Sequence, residues 1–166
     1  MKRLFRKAGM WLIPVLVLAA DRVTKALAEN IPPEGEILVP GILGLRYTQN
    51  TGAAFSMLSG HPWLLGVVSL AVIAAAFLVL RKKHLSAMMT AGLMMMLGGA
   101  VGNMIDRLFT GYVPDMIEFL FVNFAIFNVA DTFLCIGCAL TALSLLIGGD
   151  KGEQSNDGTS DNPDPE

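Results

Sequence analysis

Gly102-Asn103-Met104-Ile105-Asp106-Arg107 closes one long apolar run. Phe127-Asn128-Val129-Ala130-Asp131 opens the next, and Gly111-Tyr112-Val113-Pro114-Asp115 lies between them. Three carboxylates and two asparagines therefore stand where apolar chain gives way to polar chain. Ionisable groups are costly to place at the edge of a membrane, so by default they mark function. The reading that follows from this stretch is a helical membrane protein in which Asp115 and Asp131 meet.

Composition agrees with lipid as the solvent. The chain has 166 residues, enough for one domain, and is 54% hydrophobic with 16% charged residues. Its mean hydropathy is +0.58. A soluble domain is usually about a quarter charged. Four segments are long enough to cross a hydrocarbon core, which takes about 20 apolar residues. They run over about 8–28, 63–80, 85–108 and 127–147. The loops are about 29–62 and 109–126.

Basic residues in short loops stay cytoplasmic. Lys2, Arg3, Arg6 and Lys7 precede the first segment, and Arg81, Lys82 and Lys83 separate the second from the third. Both termini are thus expected in the cytoplasm and both long loops outside. The first segment also has the basic start and apolar centre of a cleavable signal peptide. Asp21, Arg22 and Lys25 stand before its Ala26-Leu27-Ala28 triplet, which argues for a retained helix. Residues 149–166 hold six acids and one base, and their polar composition predicts a disordered cytoplasmic tail. Residues 1–148 form the expected membrane domain.

In the first loop, residues 36–39 and 44–48 are short β-prone runs split by Pro40 and Gly41, which predicts a small sheet on the outer membrane surface. Residues 113–126 are too short and interrupted to span; a strand or a short interfacial helix fits. The second segment reads as a scaffold helix. In the third, Gly98 and Gly102 form a small-xxx-small pair that favours close helix contact.

Helical spacing makes Asn103 a neighbour of Asp106 and Arg107, and Asn128 a neighbour of Asp131. Asp131 sits about 5 Å inside its helix. With Asp21 and Lys25, four apart in the first segment, three of the four helices bring polar residues to one depth. A desolvated carboxylate beside a second one holds its proton tightly. If Asp115 folds back over Asp131, the two share a proton, and one activates water while the other polarises a scissile carbonyl. Asp106 with Arg107 suits a supporting ion pair, and Asn103 and Asn128 suit donors that fix the acids or a substrate backbone. The spacing alone leaves other readings open: Asp131 as a packed polar group, or Asp131 and Asp106 as a proton relay in a transporter. No internal repeat favours a transporter.

Other chemistries lack their residues. There is no Gly-x-Ser-x-Gly elbow and no His-Glu-x-x-His motif. His61 and His84 fall at opposite ends of the second segment. No metal or other cofactor is expected, and no basic stripe suggests nucleic acid. Cys135 and Cys138 lie inside an apolar run and read as packing residues rather than a redox pair.

The motifs taken together resemble lipoprotein signal peptidase, also called signal peptidase II. The resemblance rests on Asp21-Arg22-x-Thr24-Lys25, Asn50-Thr51-Gly52-Ala53-Ala54-Phe55, Gly102-Asn103-x-x-Asp106-Arg107, Gly111-x-Val113-x-Asp115 and Phe127-Asn128-x-Ala130-Asp131. It implies an aspartyl endopeptidase of the bacterial inner membrane with Asp115 and Asp131 as its dyad. The implied substrate is a prolipoprotein carrying diacylglyceryl on a cysteine, cut just before that cysteine. Asn50, Asn103, Arg107 and Asn128 match positions that line the family's site. Asp21, Lys25 and Asp106 match positions linked to activity or stability. Membrane lipid and globomycin-type inhibitors are the other implied partners. Met116 stands where the family usually has an aromatic residue, and Met fills a similar apolar pocket.

Overall fold

A computed structural model describes residues 9–52, 62–82 and 85–148. In chain order the elements are helix α1 (Leu12–Ala28), strands β1 (Glu36–Val39) and β2 (Leu43–Asn50), helices α2 (Pro62–Leu80) and α3 (Ala87–Phe109), strand β3 (Val113–Phe119) and helix α4 (Val129–Leu146). The basic residues 2–7, the Ala53-Ala54-Phe55 triplet, His61, Lys83, His84 and the acidic tail lie outside the described residues.

Among the described residues, three helical stretches are long and apolar enough to cross a membrane: Trp63–Leu80, Ala87–Phe109 and Val129–Leu146. Helix α1, at 17 residues, is shorter. Helix α3 is the centre of the bundle and packs on α1, α2 and α4. Its small residues make that possible. A Cβ added at Gly98 would come within 2.8 Å of Val17 Cβ, and one at Gly102 within 2.7 Å of an Asp21 carboxylate oxygen. The small-xxx-small pair is thus the seat of α1. The outward faces of α1, α2 and α4 carry exposed Leu, Val and Phe side chains such as Leu16, Leu70, Phe77 and Leu146. Those faces suit hydrocarbon rather than water.

The three strands form one antiparallel sheet in the order β1-β2-β3. The two β-prone runs of the first loop pair as expected, Glu36 opposite Leu45 and Ile37 opposite Gly44. The second loop supplies the third strand. Its register sets Leu45 opposite Ile117, Thr48 opposite Asp115 and Asn50 opposite Val113, with an irregularity between Leu45 and Thr48. Gly111, at φ 78°, turns the chain out of α3 and into β3. The chain then returns: Phe127 donates its N–H to the Ile117 carbonyl at 3.1 Å and accepts from Ile117 N–H at 2.8 Å. That return sets Asn128, the next residue, beside Asp115.

Candidate active site

Helix α4 begins with a reciprocal cap. The Asn128 side-chain oxygen accepts from Asp131 N–H at 2.9 Å, and the Asp131 carboxylate accepts from Asn128 N–H at 3.3 Å. Each group satisfies a backbone donor that the first turn would otherwise leave bare. The cap also fixes which way the Asn128 amide faces, because its oxygen is committed to the helix. Its nitrogen donates to Asp115 Oδ1 at 2.6 Å.

The other Asp115 oxygen accepts from the Asn50 side-chain amide at 2.8 Å, and the Asn50 oxygen in turn accepts from Gly52 N–H at 2.9 Å. Asn103, from α3, donates to Asp131 Oδ1 at 2.7 Å, and its oxygen accepts from Asn128 Nδ2 at 3.3 Å. The two carboxylates predicted to meet are therefore joined through two asparagine amides. Asp115 is 1% exposed. Burial pushes its carboxyl up from 3.8 to about 6; the Asn50 hydrogen bond works against this rise and the charge of Asp131 adds to it.

Both acids open onto one cavity of about 580 Å³ between α2, α3 and α4. The polar end holds Asn50, Asn103, Arg107, Asp115 and Asp131; apolar side chains such as Val72 and Leu134 line much of the remainder. A largely apolar cleft with a few convergent polar groups is the usual form of a substrate site. Among the described residues, Arg107 donates only to backbone oxygens, those of Asn103 at 3.4 Å and Gly52 at 3.3 Å, and its Nε has no hydrogen-bond partner. The Asp106–Arg107 ion pair expected from the sequence does not form. Successive helical residues point in different directions, so Arg107 turns to the cavity and Asp106 to α1.

Asp106 has other cations. Arg22 donates to both of its oxygens, at 2.5 and 2.8 Å, and Lys25 to one at 2.7 Å. Arg22 and Lys25 also reach Asp21 Oδ2, at 2.8 and 2.9 Å. The second oxygen of Asp21 accepts from Ala130 N–H at 3.1 Å, tying α1 to the first turn of α4. Lys25 spends its third donor on Asn103 Oδ1 at 2.9 Å. All the site residues marked in the sequence thus belong to one polar region in two linked parts.

The sequence motifs alone do not mark Arg22 as part of the site. Charge balance was the available signal: two buried acids, Asp21 and Asp106, against one buried Lys25 call for a second cation. Among the described residues, no group of three or more His, Cys, Asp or Glu is arranged to hold a metal ion. Cys135 and Cys138 are free thiols.

A family model described as signal peptidase (SPase) II matches residues 13–147. The lipoprotein signal peptidase of Streptococcus pyogenes serotype M5 (strain Manfredo) is 40% identical over 134 residues, which is 79% of this chain and 88% of that one. The protein of the same name from serotype M3 (strain SSI-1) is 39% identical over 134 residues, with the same 79% and 88% coverage. Among solved structures, a bacterial membrane enzyme determined by the in meso method at 2.3 Å matches with TM-score 0.79 and 29% identity, over 89% of this chain and 93% of its own. A second, at 1.9 Å, matches with TM-score 0.74 and 31% identity, over 84% of this chain and 93% of its own. A likeness this long, in both sequence and backbone, places the chain in the signal peptidase II family, the aspartic proteases that hydrolyse signal peptides from prolipoproteins.

Proposed function

We propose that Asp115 and Asp131 are the catalytic dyad of this chain. The observation that carries the reading is that both carboxylates line one cavity and are joined through the Asn103 and Asn128 amides. The pair holds one proton between two acids. One carboxylate takes a proton from water as the water attacks the scissile carbonyl, and the protonated partner donates its proton to the carbonyl oxygen; as the C–N bond then breaks, the first acid gives the water-derived proton to the leaving amine and the partner takes its proton back from the tetrahedral hydroxyl. Asn50, Asn103 and Asn128 keep the acids in place. Arg107, with donors to spare, faces the backbone of the bound peptide.

The substrate is a prolipoprotein whose cysteine already carries diacylglyceryl, and the cut falls just before that cysteine. Its apolar signal helix enters the apolar part of the cavity while the acyl chains remain in lipid, where each buried CH₂ contributes about 0.8 kcal/mol to anchoring. Helix α1 acts as a fourth span, tied to α3 by its charged residues. In this reading both termini are cytoplasmic, the dyad lies at the outer face of the bacterial inner membrane, and residues 149–166 are a dispensable tail. A globomycin-type peptide would occupy the same cavity.

The test is cleavage of a lipidated precursor in detergent by Asp115→Asn and Asp131→Asn. Each variant is expected to fold and to lose about a thousandfold or more in turnover, the upper part of the range for a positioned acid or base. Normal turnover by either one rules the dyad out.

A further inference from the structure

Asn103 donates to Asp131 only because its amide faces one way round. The amide nitrogen must point to Asp131, so the oxygen must point to Lys25 and Asn128. An ammonium has three donors and no acceptor, so Lys25 beside Asn103 admits only the oxygen. The orientation of Asn103 thus depends on Lys25 staying where it is.

Lys25 is 4% exposed and has three partners: Asp21 Oδ2, Asp106 Oδ2 and Asn103 Oδ1. Two of the three are carboxylates, and both would pull the ammonium away from the neutral amide. Arg22 offsets that pull. Its fork spans both oxygens of Asp106, and one of its nitrogens also reaches Asp21 Oδ2 and the Gly102 carbonyl, the last at 3.1 Å. With Arg22 present, two cations meet two anions. Without it, one ammonium faces two buried carboxylates with no charge to spare.

We infer that Arg22 is a positioning residue for the dyad: by sharing Asp21 and Asp106 with Lys25, it leaves the ammonium on Asn103 and so keeps the Asn103 amide turned toward Asp131. The inference rests on the dyad proposed above. It gives Arg22, on α1 and outside the cavity, a role in turnover distinct from joining α1 to α3. A guanidinium suits the position because its planar fork engages a carboxylate through two parallel bonds.

The test uses Arg22→Gln in the full chain, in detergent, with a lipidated precursor and with ¹⁵N-asparagine label. The Asn103 side-chain amide signal is assigned by its disappearance in Asn103→Ala. The expected result is a fall in kcat of about tenfold or more, as small misplacements at an active site produce, with KM little changed and the Asn103 amide signal shifted. If Arg22→Gln does not fold, Arg22→Lys, which keeps the charge but loses the fork, is read in the same way. An unchanged kcat overturns the inference. So does a reduced kcat with the Asn103 signal in its wild-type place, since that is what a purely structural strut would give. Asp131→Asn in the same assay separates the two readings: if it retains activity the dyad itself fails, and if it is inactive while Asn103 is unmoved only the role of Arg22 fails.

Discussion

Four aspartates at one end of the bundle divide into two pairs that meet different partners. Asp21 and Asp106 face Lys25 and Arg22, and their charge is spent on neighbouring cations. Asp115 and Asp131 are held instead by the amides of Asn50, Asn103 and Asn128. An ion pair fixes a carboxylate in its ionised form. A set of neutral donors orients a carboxylate while leaving its proton affinity open to burial and to its twin. One residue type thus serves as mortar in one pair and, on the proposed reading, as reagent in the other, and the partners decide which.

The contrast breaks if the two pairs respond alike to the same change. Asp131→Asn should lose about a thousandfold in turnover and keep an unfolding midpoint near that of the parent. Asp106→Asn should do most of its damage to stability. Removing one partner of a buried ion pair typically costs about 3–5 kcal/mol, and thermal unfolding in detergent measures it. A precursor-cleavage deficit in Asp106→Asn as large as in Asp131→Asn, with the midpoint unchanged, would dissolve the distinction.

Acidity sharpens it further. The folded chain holds the Asp115 proton more tightly than the unfolded chain, with a value raised from 3.8 to about 6. Folding therefore gains from this group at low pH. The gain is complete below about 4, is lost as pH rises from about 4 to about 6, and amounts to about 3 kcal/mol at most. Unfolding midpoints recorded across that window should drop with rising pH in the parent, and this component of the slope should vanish in Asp115→Asn.

Asn50→Ala removes one of two amide donors on Asp115 and should lower turnover by about tenfold, the size expected when one hydrogen bond to a charged group is lost. Cys138→Ser touches neither pair and should leave precursor cleavage as it was. Its thiol lies 3.8 Å from the Met96 sulfur.

Much of this arrangement was legible in the sequence. Run length marked α2, α3 and α4 to within a few residues, because a lipid-facing helix cannot hide a polar interruption. Asn103 and Asn128 stood out because amides beside acids at an apolar border have few bland explanations, whereas Asn50 was marked only by the family resemblance. Pairing across distance was not legible. Residues 113–126 read equally as a strand or an interfacial helix, since a strand shows its partner only once the partner is in place. Asp106 and Arg107, adjacent in the chain, looked like a pair. On a helix, adjacency separates side chains, and the real partner of Asp106 lay 84 positions away in Arg22.

The cap of α4 carries a consequence for biogenesis. Asp131 lies in α4, after the other described helices, and it is aimed by the same bonds that start that helix. A nascent chain with only α1 to α3 inserted therefore lacks one member of the proposed dyad. On the proposed reading, the reaction centre is complete only once α4 is in place.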